Sequence, residues 1–140
     1  MNLAEPPKQL IERYRAIPDA QARFAAVVDA ATARPMLGDE FRIGTFRVEG
    51  CQVRTWLVPE YHEGRCWFRV DSDAISLKAI GGLLCDFYSG KTPDVVVREA
   101  PDVLTELGLM PHLAENRRRT LWRIREKIGA FAQSLLNDGP

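Results

Sequence analysis

The chain has 140 residues, 46% hydrophobic and 27% charged, a composition that suits one globular domain over 1–140. Its 19 basic and 19 acidic residues cancel, so the total supplies none of the basic excess with which nucleic-acid binders neutralise phosphates. No apolar run approaches the roughly 18–20 residues that span a bilayer, and MNLAEPPKQL lacks the basic start and apolar core of a secretory signal; a cytoplasmic protein with three free thiols is expected.

Pro6-Pro7 opens a first helix with Leu10, Ile11, Tyr14 and Ile17 at helical spacing, and Pro18 ends it. Asp19 stands where a second helix needs its N-cap, with Phe24, Val27, Val28 and Ala31 on one face, and Pro35 stops that helix. From Phe41 the period changes. FRIGTFRV alternates with a slip at Gly44-Thr45, which predicts a weaker strand with a bulge. QVRTWLV places Val53, Thr55 and Leu57 on one face. RCWFRV sets Cys66, Phe68 and Val70 against Arg65, Trp67 and Arg69. The six residues PEYHEG between them, with Pro59 and Gly64, read as a hairpin loop. A small three-stranded antiparallel sheet is predicted.

Asp71, Ser72 and Asp73 all suit the cap of the next helix. That helix carries Ile75, Leu77, Ile80, Leu83, Leu84, Phe87 and Tyr88 around much of its circumference, so it is expected at the centre. Gly90 fits its C′ position, and Thr92-Pro93 supplies a cap and a first-turn proline. Short helices over PDVVVRE and PDVLTEL follow, the second closed by Gly108. A long last helix begins at ENRRR and keeps Leu121, Ile124, Ile128, Phe131 and Leu135 in one stripe. Strands are grouped rather than interleaved with helices, so the class is α+β: a small sheet packed against N-terminal and C-terminal helices.

The three cysteines differ in setting. Cys85 lies in an apolar helix and Cys66 on the apolar face of a strand, where a thiol is a small hydrophobe. Cys51 follows Gly50 at a loop-to-strand junction, where a thiol is presented rather than packed. No metal is expected, since neither C-x-x-C nor H-x₃-H spacing occurs. His62 falls in a hairpin loop and His112 after a proline, both suited to the surface, and Cys51 with His112 would make a thiol-hydrolase or redox pair. ENRRRTLWRIREK reads as a solvated helix face before it reads as a nucleic-acid surface. DSDA has a sufficient reason as a cap cluster without binding a cation. No Walker or G-x-G-x-x-G pattern occurs.

Four stretches together resemble a known family. VEGCQVRTWLV is similar to the V-x-G-C-Q signature with its following Trp in the SufE family of sulfur acceptors, which includes CsdE. DSDAISLKAIGGLL, YSGKTPDVV and LGLMPHLAENRRRTL resemble that family's later motifs, in the same order and over nearly the whole chain. Val53-Arg54, Leu77-Lys78-Ala79 and Thr120 depart from its usual residues, the last from a common glycine.

The resemblance implies a SufE-like fold and a carrier rather than a stand-alone enzyme. Such a protein takes persulfide sulfur from a cysteine desulfurase of the SufS or CsdA type, raises that enzyme's turnover, and delivers the sulfur to an iron–sulfur scaffold. It implies no metal or organic cofactor and no nucleic-acid or membrane partner, and it leaves room for a homodimer. Cys51 is then the persulfide-bearing nucleophile; Gly50, Gln52 and Trp56 shape its loop and pocket; Asp73, Lys78, His112 and Arg117 serve partner contact or loop support. The attacking species in such exchange is the thiolate, a few per cent of an ordinary thiol at neutral pH. A nearby cation would help, and Arg54 and Arg117 are the candidates. The alternatives are the Cys51–His112 hydrolase or redox protein and a module that activates a desulfurase without carrying sulfur.

Overall fold

The computed structural model describes residues 7–138. Pro6 lies outside the described residues, as does the side chain of Leu10. The order is α1 (Pro7–Arg15), α2 (Ala20–Ala31), β1 (Thr55–His62), β2 (Arg65–Ser72), α3 (Ile75–Tyr88), α4 (Pro93–Arg98), α5 (Asp102–Glu106) and α6 (Glu115–Asn137). The α+β class expected from the sequence is the class observed. Asp19 caps α2 by accepting the Ala22 N–H at 2.9 Å. Thr92-Pro93 opens α4, and Gly90 and Gly108 take positive φ where chain segments close.

The sheet has two strands among the described residues, not three. β1 and β2 pair antiparallel from Thr55↔Ser72 to His62↔Arg65. The segment expected as a third strand holds a 3-10 turn at Gly44–Phe46, and its one bridge to the sheet is Arg47↔Trp56. The alternation of FRIGTFRV serves packing instead. Phe41 and Phe46 lie with Leu37 over Trp56 and Val58, on the face of β1 that turns away from the main core. Both faces of β1 are therefore covered, and Thr55 through Val58 are all buried.

The hairpin turn is also shorter than PEYHEG suggested. Its two residues, Glu63 at φ 53° and Gly64 at φ 79°, have the positive dihedrals of a type I′ turn, whose twist matches the strands it joins. Pro59 stays inside β1 because of what stands opposite. Its partner Phe68 turns its own N–H outward to Ser89 Oγ, at 3.0 Å, so no ladder bond is asked of the proline.

The cap expected from Asp71, Ser72 or Asp73 is different too. Ala74 occupies the N-cap of α3 and no side chain caps it there; Asp71 and Ser72 end β2. Asp71 is buried, accepting the Leu37 N–H at 3.0 Å and the Ser72 N–H at 2.9 Å, with Lys78 Nζ 3.7 Å away. It ties the 37–46 strap, the hairpin and α3 together.

α3 is central, as its apolar circumference requires. It packs on β2 and meets α1, α2, α5 and α6, and its residues from Leu77 to Cys85 are buried. Tyr88 ends it fully buried, donating its hydroxyl to the Glu99 carbonyl at 2.8 Å with the Arg125 guanidinium 4.6 Å over the ring. Burial pushes this phenol up to about 12. An unfolded tyrosine titrates near 10, so the neutral ring's contribution is whole below about pH 10 and is lost as pH rises toward about 12. Urea titrations of wild type and Tyr88→Phe from pH 8 upward are expected to converge above about pH 10, wild type losing stability faster. Parallel curves would contradict this role.

Candidate functional site

The residues between the 3-10 turn and β1 form a clamped loop. Its base is closed where the Val48 N–H meets the Thr55 carbonyl at 2.8 Å. The C-terminal arm is held firmly: Thr55 Oγ1 donates to the Val53 carbonyl at 3.2 Å and pairs with Ser72 Oγ at 3.0 Å. The Arg54 carbonyl accepts from Ser72 Oγ and from the Asp73 N–H, at 3.2 and 3.0 Å. The other arm, Glu49 to Gln52, has weaker ties. The Cys51 thiol, a weak donor, reaches the Glu49 carbonyl at 3.7 Å, and Gln52 Oε1 accepts from Asn116 Nδ2 across a long 3.5 Å. Gly50 sits at φ 77°, where a Cβ would meet the Arg123 guanidinium at 2.9 Å. The backbone requires glycine there, while the Arg123 guanidinium, at the end of a flexible side chain, would shift to admit a Cβ. The loop is thus firm on one arm and loose on the other, with Cys51 on the loose one.

Cys51 is half-buried, its side chain resting on the core at the edge of a pocket of about 270 Å³. Gly50, Cys51, Gln52 and Val53 form one wall; Asn116, Arg117, Arg119, Thr120 and Arg123 of α6 form the other. The other two thiols are buried among the described residues. Burial pushes the Cys66 thiol up, and burial, then the Asp86 carboxylate, raises Cys85 much further. Both are held as thiols and are poor nucleophiles. Cys51 alone of the three combines access with a cationic surrounding.

The remaining sequence candidates divide. Arg117 lines the pocket, and its Nη1 is buried without an acceptor among the described residues. Gln52 lines it from the loop. Trp56 lies elsewhere, buried on the strap side of β1 with the Arg42 and Arg54 guanidinia 4.4 and 5.6 Å from its ring. It fixes the strand beneath the loop rather than touching the thiol. Asp73 pairs with Arg42 at 3.1 Å and Arg54 at 2.8 Å, which takes Arg54 out of the pocket. Lys78 is buried beside Asp71, an internal position closed to a partner. His112 belongs to the 3-10 turn Met110–His112, its ring 5.3 Å from that of Phe24, and it does not line the Cys51 pocket.

Sequence reasoning missed Asn116, Arg119, Thr120 and Arg123. Their spacing of four, then three, from Asn116 through Thr120 to Arg123 marks one helix face; the missing knowledge was that the cysteine loop lands on it. Thr120, where the resemblance led to glycine, is buried and donates to the Asn116 carbonyl at 3.1 Å. ENRRR is not a uniform basic face either, because Arg118 turns back to the Leu113 carbonyl at 2.6 Å.

A larger cleft, about 710 Å³, lies between α1, the end of α3 and α5, with Phe87, Lys91 and Glu99 among its lining. It holds no thiol, and charges at its rim pair internally, Arg15 with Glu106 and Lys91 with Glu99. Among the described residues no His, Cys, Asp and Glu are grouped to hold a metal ion, and no helix is long and apolar enough to cross a membrane.

Comparison with known proteins supplies the family. Residues 8–132 match the family described as "SufE: Fe-S metabolism associated domain". An uncharacterized SufE-like protein of Synechocystis is 25% identical over 125 residues, 88% of this chain and 79% of that one. Another from Rhizobium etli is 27% identical over 128 residues, 85% of this chain and 86% of that one. The solution structure of a hypothetical protein from Thermus thermophilus superposes with a TM-score of 0.73 at 21% identity, covering 95% of this chain and 97% of that one. That likeness speaks to the fold.

Proposed function

This chain belongs to the SufE family, associated with Fe–S metabolism, and from that premise we propose that Cys51 accepts sulfur from a cysteine desulfurase and delivers it for iron–sulfur cluster assembly. The observation that carries the reading is the placement of Cys51: half-buried, on the loose arm of a clamped loop, beside an arginine-lined pocket. The Cys51 thiolate attacks the terminal sulfur of the donor's persulfide, and the donor leaves as thiolate. A new persulfide needs shelter between encounters and access during them. A loop hinged at Gly50 serves both needs, the pocket at rest and an outward swing when a partner docks.

In this reading the chain acts as one SufE-like domain in the cytoplasm, with a desulfurase and a scaffold protein as partners. Arg117 steadies the anionic sulfur and Gln52 the loop. Asp73 and His112 lie on the exposed surface open to a partner, and Lys78 supports the hairpin from within. The Cys51–His112 dyad is disfavoured by the position of His112 against Phe24.

The test measures alanine release from cysteine by a desulfurase of the same organism, with and without this protein. Wild type and His112→Ala are expected to raise turnover to within about twofold of each other, since removing a rim group changes affinity little. Stimulation that survives in Cys51→Ala would reassign the chain as an activating module. Loss in His112→Ala, without any sulfur uptake, would favour the hydrolase.

A further inference from the structure

Among the described residues the Cys51 pocket presents three guanidinium groups, from Arg117, Arg119 and Arg123, and no carboxylate in its lining. Among the described residues none of the three is in an ion pair with a carboxylate, whereas Arg34, Arg42, Arg54 and Arg69 each are. Glu49 and Glu126 flank Arg123 only in the neighbouring depression. Among the described residues the buried Nη1 of Arg117 has no acceptor, so no protein carboxylate or carbonyl offsets that end of its charge. Three like charges around one small space repel, and an anion between them removes that cost. A Cys51 thiolate carries a single charge, so with it alone two positive charges stay unmatched. A dianion beside the thiolate would match all three. At about 270 Å³ the space is below the usual range for drug-sized ligands and suits a small ion.

We infer that this pocket takes a small oxyanion bearing a sulfane sulfur, thiosulfate being the simplest, and that Cys51 draws sulfur from it without a desulfurase. The inference rests on Cys51 being the sulfur-bearing thiol and adds a second source to it. Oxygens of the sulfonate end lie on the guanidinia, which leaves the sulfane end for the thiol wall. The Cys51 thiol first gives its proton to solvent. Its sulfur then attacks the sulfane sulfur, and a new S–S bond forms on Cys51. The S–S bond of thiosulfate breaks with its electron pair on the departing sulfite. A thiolate and a dianion give a persulfide anion and a dianion, so charge and electrons balance and no outside oxidant enters.

The experiment incubates the purified full chain with thiosulfate alone, then follows released sulfite and the mass of the Cys51 peptide. One sulfur atom gained at Cys51 per sulfite released is expected, and none in Cys51→Ser. The double variant Arg119→Gln/Arg123→Gln should load at least about tenfold more slowly, two charge-assisted contacts having been lost. Neutral iodoacetamide should still label its Cys51, which shows a folded protein with a reachable thiol. Arg98→Gln, on the exposed face of α4, should load like wild type. Absence of sulfite and of added sulfur in wild type, while a desulfurase loads Cys51, would overturn the inference and leave the proposed function standing. Loading from neither source would overturn both. Wild-type rates in the double variant would overturn the inference, as would shielding of Cys51 from iodoacetamide by poly-glutamate but not by thiosulfate; the latter would make the arginines a docking site for an acidic partner.

Discussion

Asp71→Ala is expected to lower stability by about 3–5 kcal/mol, the usual cost of leaving one partner of a buried pair alone. Asp71 is 3% exposed, and Lys78, 3.7 Å away, is 9% exposed. Without the carboxylate an ammonium stays buried, and the Leu37 N–H loses its acceptor. The strap over Trp56 and Val58 loses its anchor at the same time. For a chain of this size the loss corresponds to a fall of roughly 10–17 °C in Tm. Asp71→Asn, which keeps one carbonyl acceptor but no charge, should fall between alanine and wild type. The double variant Asp71→Ala/Lys78→Met should recover at least half of the loss, because the pair leaves together and an apolar side chain fills the space. A Tm shift below about 3 °C in Asp71→Ala would show that the pair and its backbone bonds carry little.

Cys51→Ser is expected to abolish sulfur uptake while leaving the fold intact. Among the described residues the thiol's hydrogen bond is the 3.7 Å contact to the Glu49 carbonyl, and its side chain is half-exposed. Replacing sulfur by oxygen there should change stability by no more than about 0.5 kcal/mol, as for surface substitutions away from special features. A hydroxyl, however, is not ionised at neutral pH and cannot attack a persulfide. Cys85→Ser gives the opposite pattern. It puts a hydroxyl into a buried position of α3, so stability should fall by about 1–3 kcal/mol while sulfur uptake by the folded fraction continues. Unfolding curves and uptake assays on the two variants, run side by side, separate the reactive thiol from the packing thiol.

What the sequence told of this molecule follows the range of the interactions involved. Asp19, Thr92-Pro93, Gly90 and Gly108 mark element ends by local chemistry, and each stands where it was expected. The period-two pattern of RCWFRV carries through to burial, with Cys66, Phe68 and Val70 inside. Errors arose where a distant partner decides. Pro59 looked like a loop residue, and only the outward turn of the Phe68 N–H shows that a proline fits there. FRIGTFRV alternates as a strand would, yet Phe41 and Phe46 spend that alternation on the back of β1. The acidic run DSDA looked like a cap, but Asp71 reaches the strap and Asp73 the arginines on it and beside it. Cys51 was legible through Gly50 and its motif. Its arginine wall was not, because nothing local says that the loop rests on α6.

Locating the sulfur is the most direct measurement. The wild-type protein is loaded with a cognate desulfurase and isotopically labelled cysteine, digested without reductant, and its peptides are weighed. The label should sit on the peptide that contains Cys51, as one or more added sulfur atoms that a reductant removes. Label on Cys66 or Cys85, or a fully loaded desulfurase that passes no sulfur to this chain, would contradict the account.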